Sequence, residues 1–455
     1  MSLPQAPILH ELYGSAVSRQ FFEQLHERLD MPERGIYTLT VVVWLMIWQR
    51  LNPQASLSAA VQQVVQGSLG NITPADKRIT EKRVSDNTGA LCRARKRLPL
   101  LAVEAICDEV FTQLIRTIVD SGALRSRLFL LDGSSLRLEH TAALTKVYPL
   151  SSNPNGDAHW PVMRILMAHH LGTGLAVRPC WGPMHGDEAV SEQGLTEEIL
   201  QRLPAGSAVM ADRNFAVFSV AWAAQQAQRG VLMRITDARA KKIAGHILPP
   251  AGRERNIEWR PSRDDRRAHP ELPKDAVVRG RLIVAHIPAE NGEKQPLYLF
   301  TSLEEPAEEM VELYRRRWDI ELDIRSLKQT LEMQSLSSRT PEMMEKELLM
   351  AISAYNLVRS VQMKAARLAN MEPRRLSFSH VRNVIITALP RLATVKNAAQ
   401  WNEEYQQVLR WAARGKLPKR TKPRSYTREV WATKATFPKR KSAKASVEKK
   451  ADEAM

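Results

Sequence analysis

Apolar residues recur three and four positions apart through the first quarter of the chain. Spans 17–29, 37–50, 57–66 and 100–119 have this spacing and the length of helices, and Pro53, Pro74 and Pro99 punctuate them. From about residue 125 the period changes. The continuous apolar run 128–132 predicts a buried strand, and 135–138 a second, short one. Spans 161–170 and 175–181 flank Gly172-Thr173-Gly174, a hairpin signal. A helix over 189–203, a strand over 208–212, a helix over 217–228 and a strand over 231–235 follow. Strands in meander, then a helix and a parallel strand, predict an α/β fold: a mixed sheet with helices packed on it. Residues 237–302 are charged, proline-rich and β-like at 257–260, 277–287 and 297–302, which predicts a β-rich insertion. Helices resume over 307–334, 343–369, 379–389 and 398–413. The expected partition is an all-helical N-terminal domain (1–122), a first core segment (123–236), the insertion (237–302), a second core segment (303–390), a C-terminal helix (391–414) and a tail (415–455).

The helix predicted over 307–334 has an unusual edge. At about 100° per residue, Tyr314, Arg317, Glu321 and Lys328 fall at roughly 0°, −60°, −20° and −40°, a single polar stripe. Leu313, Ile320, Ile324, Leu327 and Leu331 fall beside it, at roughly −80° to −140°. A buried face thus carries a carboxylate between cations along its border. Two apolar runs upstream end in aspartate, Asp132 after Phe129-Leu130-Leu131 and Asp212 after Val209-Met210-Ala211. Singly, each has a plainer reading. An aspartate ending a strand is usually a turn former, and Glu321 alone pairs readily with Arg317 or Arg325 on its own helix.

Composition adds a partner. Sixty-six basic against 49 acidic residues give a net charge of +17, and a pI near 9.9 points to a polyanion, nucleic acid before a membrane surface. The longest apolar stretch, 39–48, is too short to span a bilayer. Residues 1–13 lack a basic flank and an apolar signal core, so a cytoplasmic protein is expected. Cys92, Cys107 and Cys180 are few, far apart and without zinc spacing, which suits buried thiols in a reducing compartment. Residues 415–455 hold 13 basic and 4 acidic side chains, over half the net charge, with little periodicity. Such a tail is expected to be disordered and to add non-specific affinity for nucleic acid. Arg93, Arg95, Lys96 and Arg97 form a second basic run after a small-polar turn. They read equally as phosphate contacts or as a solvated helix face.

Two strand-end aspartates and a helix glutamate have the layout of a two-metal phosphoryl-transfer site. Breaking a phosphodiester requires stabilising charge on the attacking and leaving oxygens, and two divalent cations roughly 3.5–4 Å apart do so by clamping both. Hard cations such as Mg²⁺ prefer carboxylate oxygens. Taken together, the residues carry a resemblance. Asp132 in LFLLDGSSL, Asp212 in AVMADRNFAVF, and Tyr314-x2-Arg317-x3-Glu321-x6-Lys328 resemble the DDE transposases of bacterial insertion sequences. The branch is the insertion-sequence-four family with its Tyr-Arg-Glu-Lys signature. The segments AYNLVR (354–359) and TGALCRARKRLP (88–99) extend the resemblance, which spans most of residues 10–390.

The resemblance implies a ribonuclease-H-like core, often with a β-rich insertion between the second aspartate and the glutamate. The 109 positions from Asp212 to Glu321 leave room for one. It further implies that Asp132, Asp212 and Glu321 bind two Mg²⁺ or Mn²⁺ ions. Water would then cut one strand at the element's end, and the freed 3′-hydroxyl would attack a second phosphodiester, in better-known members through a hairpin. Tyr314, Arg317 and Lys328 would hold the terminal nucleotides, as bidentate, point-charge and hydroxyl contacts can. Trp259, the one tryptophan in the expected insertion, would stack a flipped base, and Arg234 would contact the DNA end. Partners would be double-stranded DNA, as element ends and as target, and a second copy of the chain in the synaptic complex. The rival classes are an inactive DNA-binding relative and a metal-dependent nuclease on the same core. His169 and His170, adjacent on a strand, point to opposite faces and read as structural. His185 reads the same way, and Asp187 and Glu188 in its loop lack strand-end context.

Overall fold

A computed structural model describes residues 6–30, 35–66, 72, 77–81, 83–118, 123–153, 156–288 and 294–418. The basic tail beyond 418 lies outside these residues, as does the end of the helix expected over 100–119.

Among the described residues there are ten strands: β1 Leu128–Arg137, β2 Ser152–Asn153, β3 Gly156–Asp157, β4 Val162–His170, β5 Cys180–Pro183, β6 Ala208–Ala211, β7 Gly230–Arg234, β8 Arg253–Trp259, β9 Val278–Pro288 and β10 Lys294–Thr301. β2 and β3 pair only with each other. The other eight form one mixed sheet in the order β5-β4-β1-β6-β7-β10-β9-β8. β1, β6 and β7 run parallel at its centre, and the outer pairings are antiparallel. The fully apolar run Leu128–Leu131 and the strand Ala208–Ala211 are buried on both faces, as central strands must be when helices cover the sheet.

The sheet departs from the sequence reading in instructive ways. Spans 128–132 and 135–138 are one strand, because β4 pairs along all of β1 from Phe129 to Arg137. The parallel ladder with β6 covers only Leu128 to Leu130, so β1 runs on past Asp132 on one side alone. In the span read as an insertion, β8, β9 and β10 continue the central sheet. β10 pairs with β7 through Leu299–Arg234 and Thr301–Leu232, and β9 and β8 follow at the edge. The helix expected over 189–203 shrinks to Thr196–Gln201, because the Ser191 hydroxyl accepts the Gly194 N–H and holds a turn ahead of it.

The N-terminal helices carry their own start signals. Ser18, Thr38 and Ser56 cap Arg19–Arg28, Leu39–Leu51 and Leu57–Val65 through their hydroxyls. Leu39–Leu51 is buried almost all round, including Trp44 and Trp48. It packs on the long helix Pro341–Leu368, which also meets Leu100–Arg116 and Ala398–Arg414. Asn356 of the long helix accepts the Ala176 N–H and donates to the Ala176 carbonyl, both at 2.8 Å, tying the helices to the β4–β5 connection. The region expected as a separate helical domain therefore shares one apolar core with the sheet. Cys107 and Cys180 are buried there, and Cys92 is half-buried. Among the described residues no helix is long and apolar enough to cross a membrane.

His169 and His170 are buried in β4, as their pattern predicts. His170 contacts Thr173 Oγ1 and the Ser126 carbonyl, and His169 the Gly174 carbonyl. Burial pushes both imidazoles down to about 4, against about 6.5 in an unfolded chain. Between those values the unfolded chain binds more protons, so stability is lost as pH falls from about 6.5 toward 4. Each protonation costs on the order of 3 kcal/mol. Asp132, raised to about 6, works the other way, but one carboxyl does not offset two imidazoles. The melting temperature is therefore expected to drop across this window, and a flat profile would contradict the burial of neutral histidines.

Candidate active site

The polar stripe is built from several kinds of helical turn. The span 307–334 is an α-helix to Tyr314, a 3-10 turn over Arg315–Trp318, an α-helix over Asp319–Arg325 and a π turn over Ser326–Thr330. The 3-10 turn tightens the path between Tyr314 and Glu321, and the π turn widens it before Lys328. Leu313, Ile320, Ile324, Leu327 and Leu331 are buried, so the predicted face is the one that docks.

Asp132 and Asp212 sit one strand apart at the rim of the sheet. Leu130 pairs with Met210, and each aspartate lies two residues further on, where β6 leaves the ladder. Asp132 is half-buried, and its carboxylate accepts the Gly133 N–H at 2.9 Å. Burial pushes this carboxyl up to about 6; Arg317 pulls it down and the charge of Asp212 adds to the rise. Asp212 heads a turn in which its own Oδ1 accepts the Asn214 N–H at 2.8 Å.

Arg317 links the rim to the stripe. Its guanidinium lies 3.9 Å from Asp132 Oδ2 and 3.4 Å from Glu321 Oε1, and stacks over the Trp318 ring at 4.3 Å. Tyr314 is buried beside it. Burial pushes its hydroxyl up to about 12, and the charges of Arg317, Arg234, Asp212 and Asp132 all bear on it. Lys328 donates to the Ser135 carbonyl at 2.8 Å and to Ser134 Oγ at 3.3 Å, just beyond Asp132 on β1. Burial, then Arg137, lowers its pKa. The structure thus groups Asp132, Asp212, Tyr314, Arg317, Glu321 and Arg234, with Lys328 at one side. Among the described residues no three His, Cys, Asp or Glu side chains are placed to hold a metal ion; Arg317 stands between Asp132 and Glu321.

Other expected contacts sit elsewhere. Trp259 is 4% exposed, packed edge-on against Phe300 at 5.0 Å and Phe218 at 6.1 Å, a core tryptophan that no base can reach. The exposed indole beside the stripe is Trp318, at 56%. Arg95 is paired with the buried Glu347 at 2.5 Å, whereas Arg93, Lys96 and Arg97 of the helix Gly89–Arg97 are exposed. Arg95→Ala is expected to lower stability by roughly 3 kcal/mol, because it strips a buried carboxylate of its close partner. Arg97→Ala, at an exposed position, should leave melting unchanged. Equal melting temperatures for the two variants would refute the distinction. Sequence reasoning also passed over Glu192, half-buried five residues after the loop that holds Asp187, with its charge bearing on Asp132.

Arg317 joins Asp132 to Glu321 of the docked helix, and Asp212 follows the neighbouring strand, so three carboxylates lie along one rim of a mixed α/β sheet. Residues 124–357, just over half of the chain, match the family described as Transposase DDE domain, and the chain belongs to that family. It is similar to the transposase InsG for insertion sequence element IS4 of Escherichia coli (strain K12), 24% identical over 274 residues. That match takes in 58% of this chain and 59% of the relative, so the chain spans well under two thirds of the relative's length. A solved structure described as a piggyBac transposase synaptic complex with hairpin DNA covers 88% of this chain and 85% of its own, at 12% identity and a TM-score of 0.40.

Proposed function

We propose that this chain is a DNA transposase that binds the ends of its own element, cuts them hydrolytically and joins the resulting 3′-hydroxyls to target DNA. The core is then a ribonuclease-H-like sheet, and Asp132, Asp212 and Glu321 are its catalytic carboxylates. One observation carries the reading: Arg317 bridges Asp132 on the sheet to Glu321 on the helix, with Tyr314 and Asp212 against the same charges. A structural ion-pair helix has no need of an aspartate from the sheet rim.

The donor set suits Mg²⁺ or Mn²⁺. Asp132 and Asp212 are hard oxygen donors, and burial with mutual repulsion holds Asp132 near 6, a cost that a cation relieves. Asp132, Asp212 and Glu321 would hold two such ions, which would supply charge stabilisation to the attacking and leaving oxygens. The protein's own groups do the rest. Arg317, freed from its carboxylates, can take a phosphate through two parallel N–H bonds. Lys328 gives a point charge, and Tyr314 donates a hydrogen bond from its hydroxyl, which its high pKa keeps protonated. Arg234, exposed at the end of β7, extends this cationic rim. The net charge of +17 supplies sequence-independent attraction to double-stranded DNA. Two ends must be brought together, so the working form is a dimer.

The test is a cleavage assay on a supercoiled plasmid carrying the element's ends. Breaks mapping to those ends with Mg²⁺, and none with EDTA, are expected; hairpin termini would identify the excision route. End binding without cleavage in Mg²⁺ or Mn²⁺ would instead mark an inactive DNA-binding relative, and cuts without end preference a nuclease.

A further inference from the structure

We propose that Glu192 is a positioning residue for the paired aspartates, acting through Asn214 from a seat that exists because residue 133 has no side chain. The inference rests on the carboxylate site proposed above. Glu192 Oε2 accepts the Asn214 side-chain N–H at 2.7 Å, and Asn214 gives its backbone N–H to Asp212 Oδ1 at 2.8 Å. Glu192 Oε1 faces Arg164 Nη1 at 3.7 Å, on the strand paired with β1. Gln193 donates to the Asn214 carbonyl at 2.9 Å and to its Oδ1 at 3.2 Å. Asn214 is therefore clamped by two consecutive side chains, and the turn that presents Asp212 cannot swing without breaking those bonds.

Gly133 explains how a carboxylate comes to lie there. A Cβ built on Gly133 would overlap the Glu192 carboxylate, with Cγ only 2.6 Å away. The backbone of residue 133 is ordinary paired strand, opposite Leu166, so the glycine serves space rather than an unusual conformation. The residue after the first aspartate thus makes room for the group that orients the second. One carboxylate thus packs against the strand of the first aspartate and orients the turn of the second.

The full-length protein is compared with Glu192→Ala, Glu192→Gln, Gly133→Ala and the double variant Gly133→Ala/Glu192→Ala, in single-turnover cleavage of the end-bearing plasmid and in end binding with EDTA. Glu192→Ala is expected to slow cleavage about 10- to 100-fold with end affinity unchanged, the range for groups that orient others. Glu192→Gln should keep most of the rate, because its amide oxygen still accepts from Asn214. Gly133→Ala should be slow, and the double variant no slower than Glu192→Ala alone, because the overlap is gone. In melting, Gly133→Ala should destabilise the wild type and be silent in the Glu192→Ala background. Wild-type cleavage with Glu192→Ala equally fast, Glu192→Gln as slow as Glu192→Ala, or losses that multiply in the double variant would each overturn the inference. A wild type that does not cleave would overturn the site reading, and this inference with it.

Discussion

Asp132→Ala, Asp212→Ala and Glu321→Ala are each expected to lower cleavage at the element's ends by at least about 10³-fold, while end binding in EDTA stays near wild type. The magnitude follows from the role. Charge stabilisation of a phosphoryl transition state by bound cations is worth several kcal/mol, and every 1.4 kcal/mol is a factor of ten. The separation from binding follows from the geometry. The cations proposed to contact DNA are Arg317, Lys328 and Arg234, and none of them is removed by these substitutions. Asp132→Ala and Glu321→Ala each remove one of the carboxylates beside Arg317, which leaves its guanidinium freer for a phosphate. End affinity should hold or rise slightly in these two variants. Folding is also expected to survive, because all three side chains are partly exposed and Asp132 carries an ionisation cost that alanine removes. Parallel gel-shift, melting and cleavage measurements check this. Any of the three variants that cleaves at the wild-type rate would remove that residue from the site.

The residues that hold this site were legible in sequence to differing depths. Asp132 and Asp212 stood out because a buried apolar run ending in a carboxylate is rare unless the chain leaves the core there. Glu321 stood out because its neighbours at three and four residues set it on the border of an apolar face. These are local signals; Asp212 follows the end of β6, whereas Asp132 lies inside β1, at the point where the ladder to β6 stops. What the sequence hid is non-local. That residues 253–301 extend the central sheet depends on β10 pairing with β7, a register that no local pattern encodes. Trp259 reads the same in sequence whether it packs on Phe300 or faces DNA; only the sheet's layering sends it inward. Trp318 carries no motif role in the sequence, yet it is the exposed indole beside Arg317. Glu192 lies in a turn without strand-end context, and a glycine on another strand admits it. Helical periodicity at 100° also missed the 3-10 and π turns, since both are imposed by docking rather than by propensity.

Asp323→Asn is expected to act on the same helix with the opposite signature, lowering the melting temperature by roughly 4 °C. Two residues apart on a helix is about 200° around its axis, so Glu321 faces the rim while Asp323 faces inward. Asp323 is 1% exposed. Its carboxylate meets Arg359 at 2.5 Å and Arg374 at 2.7 Å, with His169 at 3.7 Å. Burial pushes this carboxyl up, but Arg374 and Arg359 outweigh burial and hold it below the usual carboxylate range. The network joins three parts of the fold. Arg359 belongs to the long helix, His169 to β4, and Arg374 also donates to the carbonyls of Leu171 at 2.6 Å and His170 at 3.1 Å. Asparagine keeps the shape and removes the charge, leaving Arg359 without its carboxylate and Arg374 with only the more distant Asp319, at 4.0 Å. Breaking a buried pair in this way costs about 3–5 kcal/mol, more than most single substitutions. Because this cluster fixes how the helix lies on the sheet, the rate should fall as well, but only as the fold loosens. Cleavage by Asp323→Asn should recover on cooling, whereas cleavage by Glu321→Ala should not recover at any temperature. Replacing Asp323 and both arginines with apolar residues of similar volume should restore much of the stability. An Asp323→Asn protein that melts with the wild type would show that the buried charges do not anchor the helix.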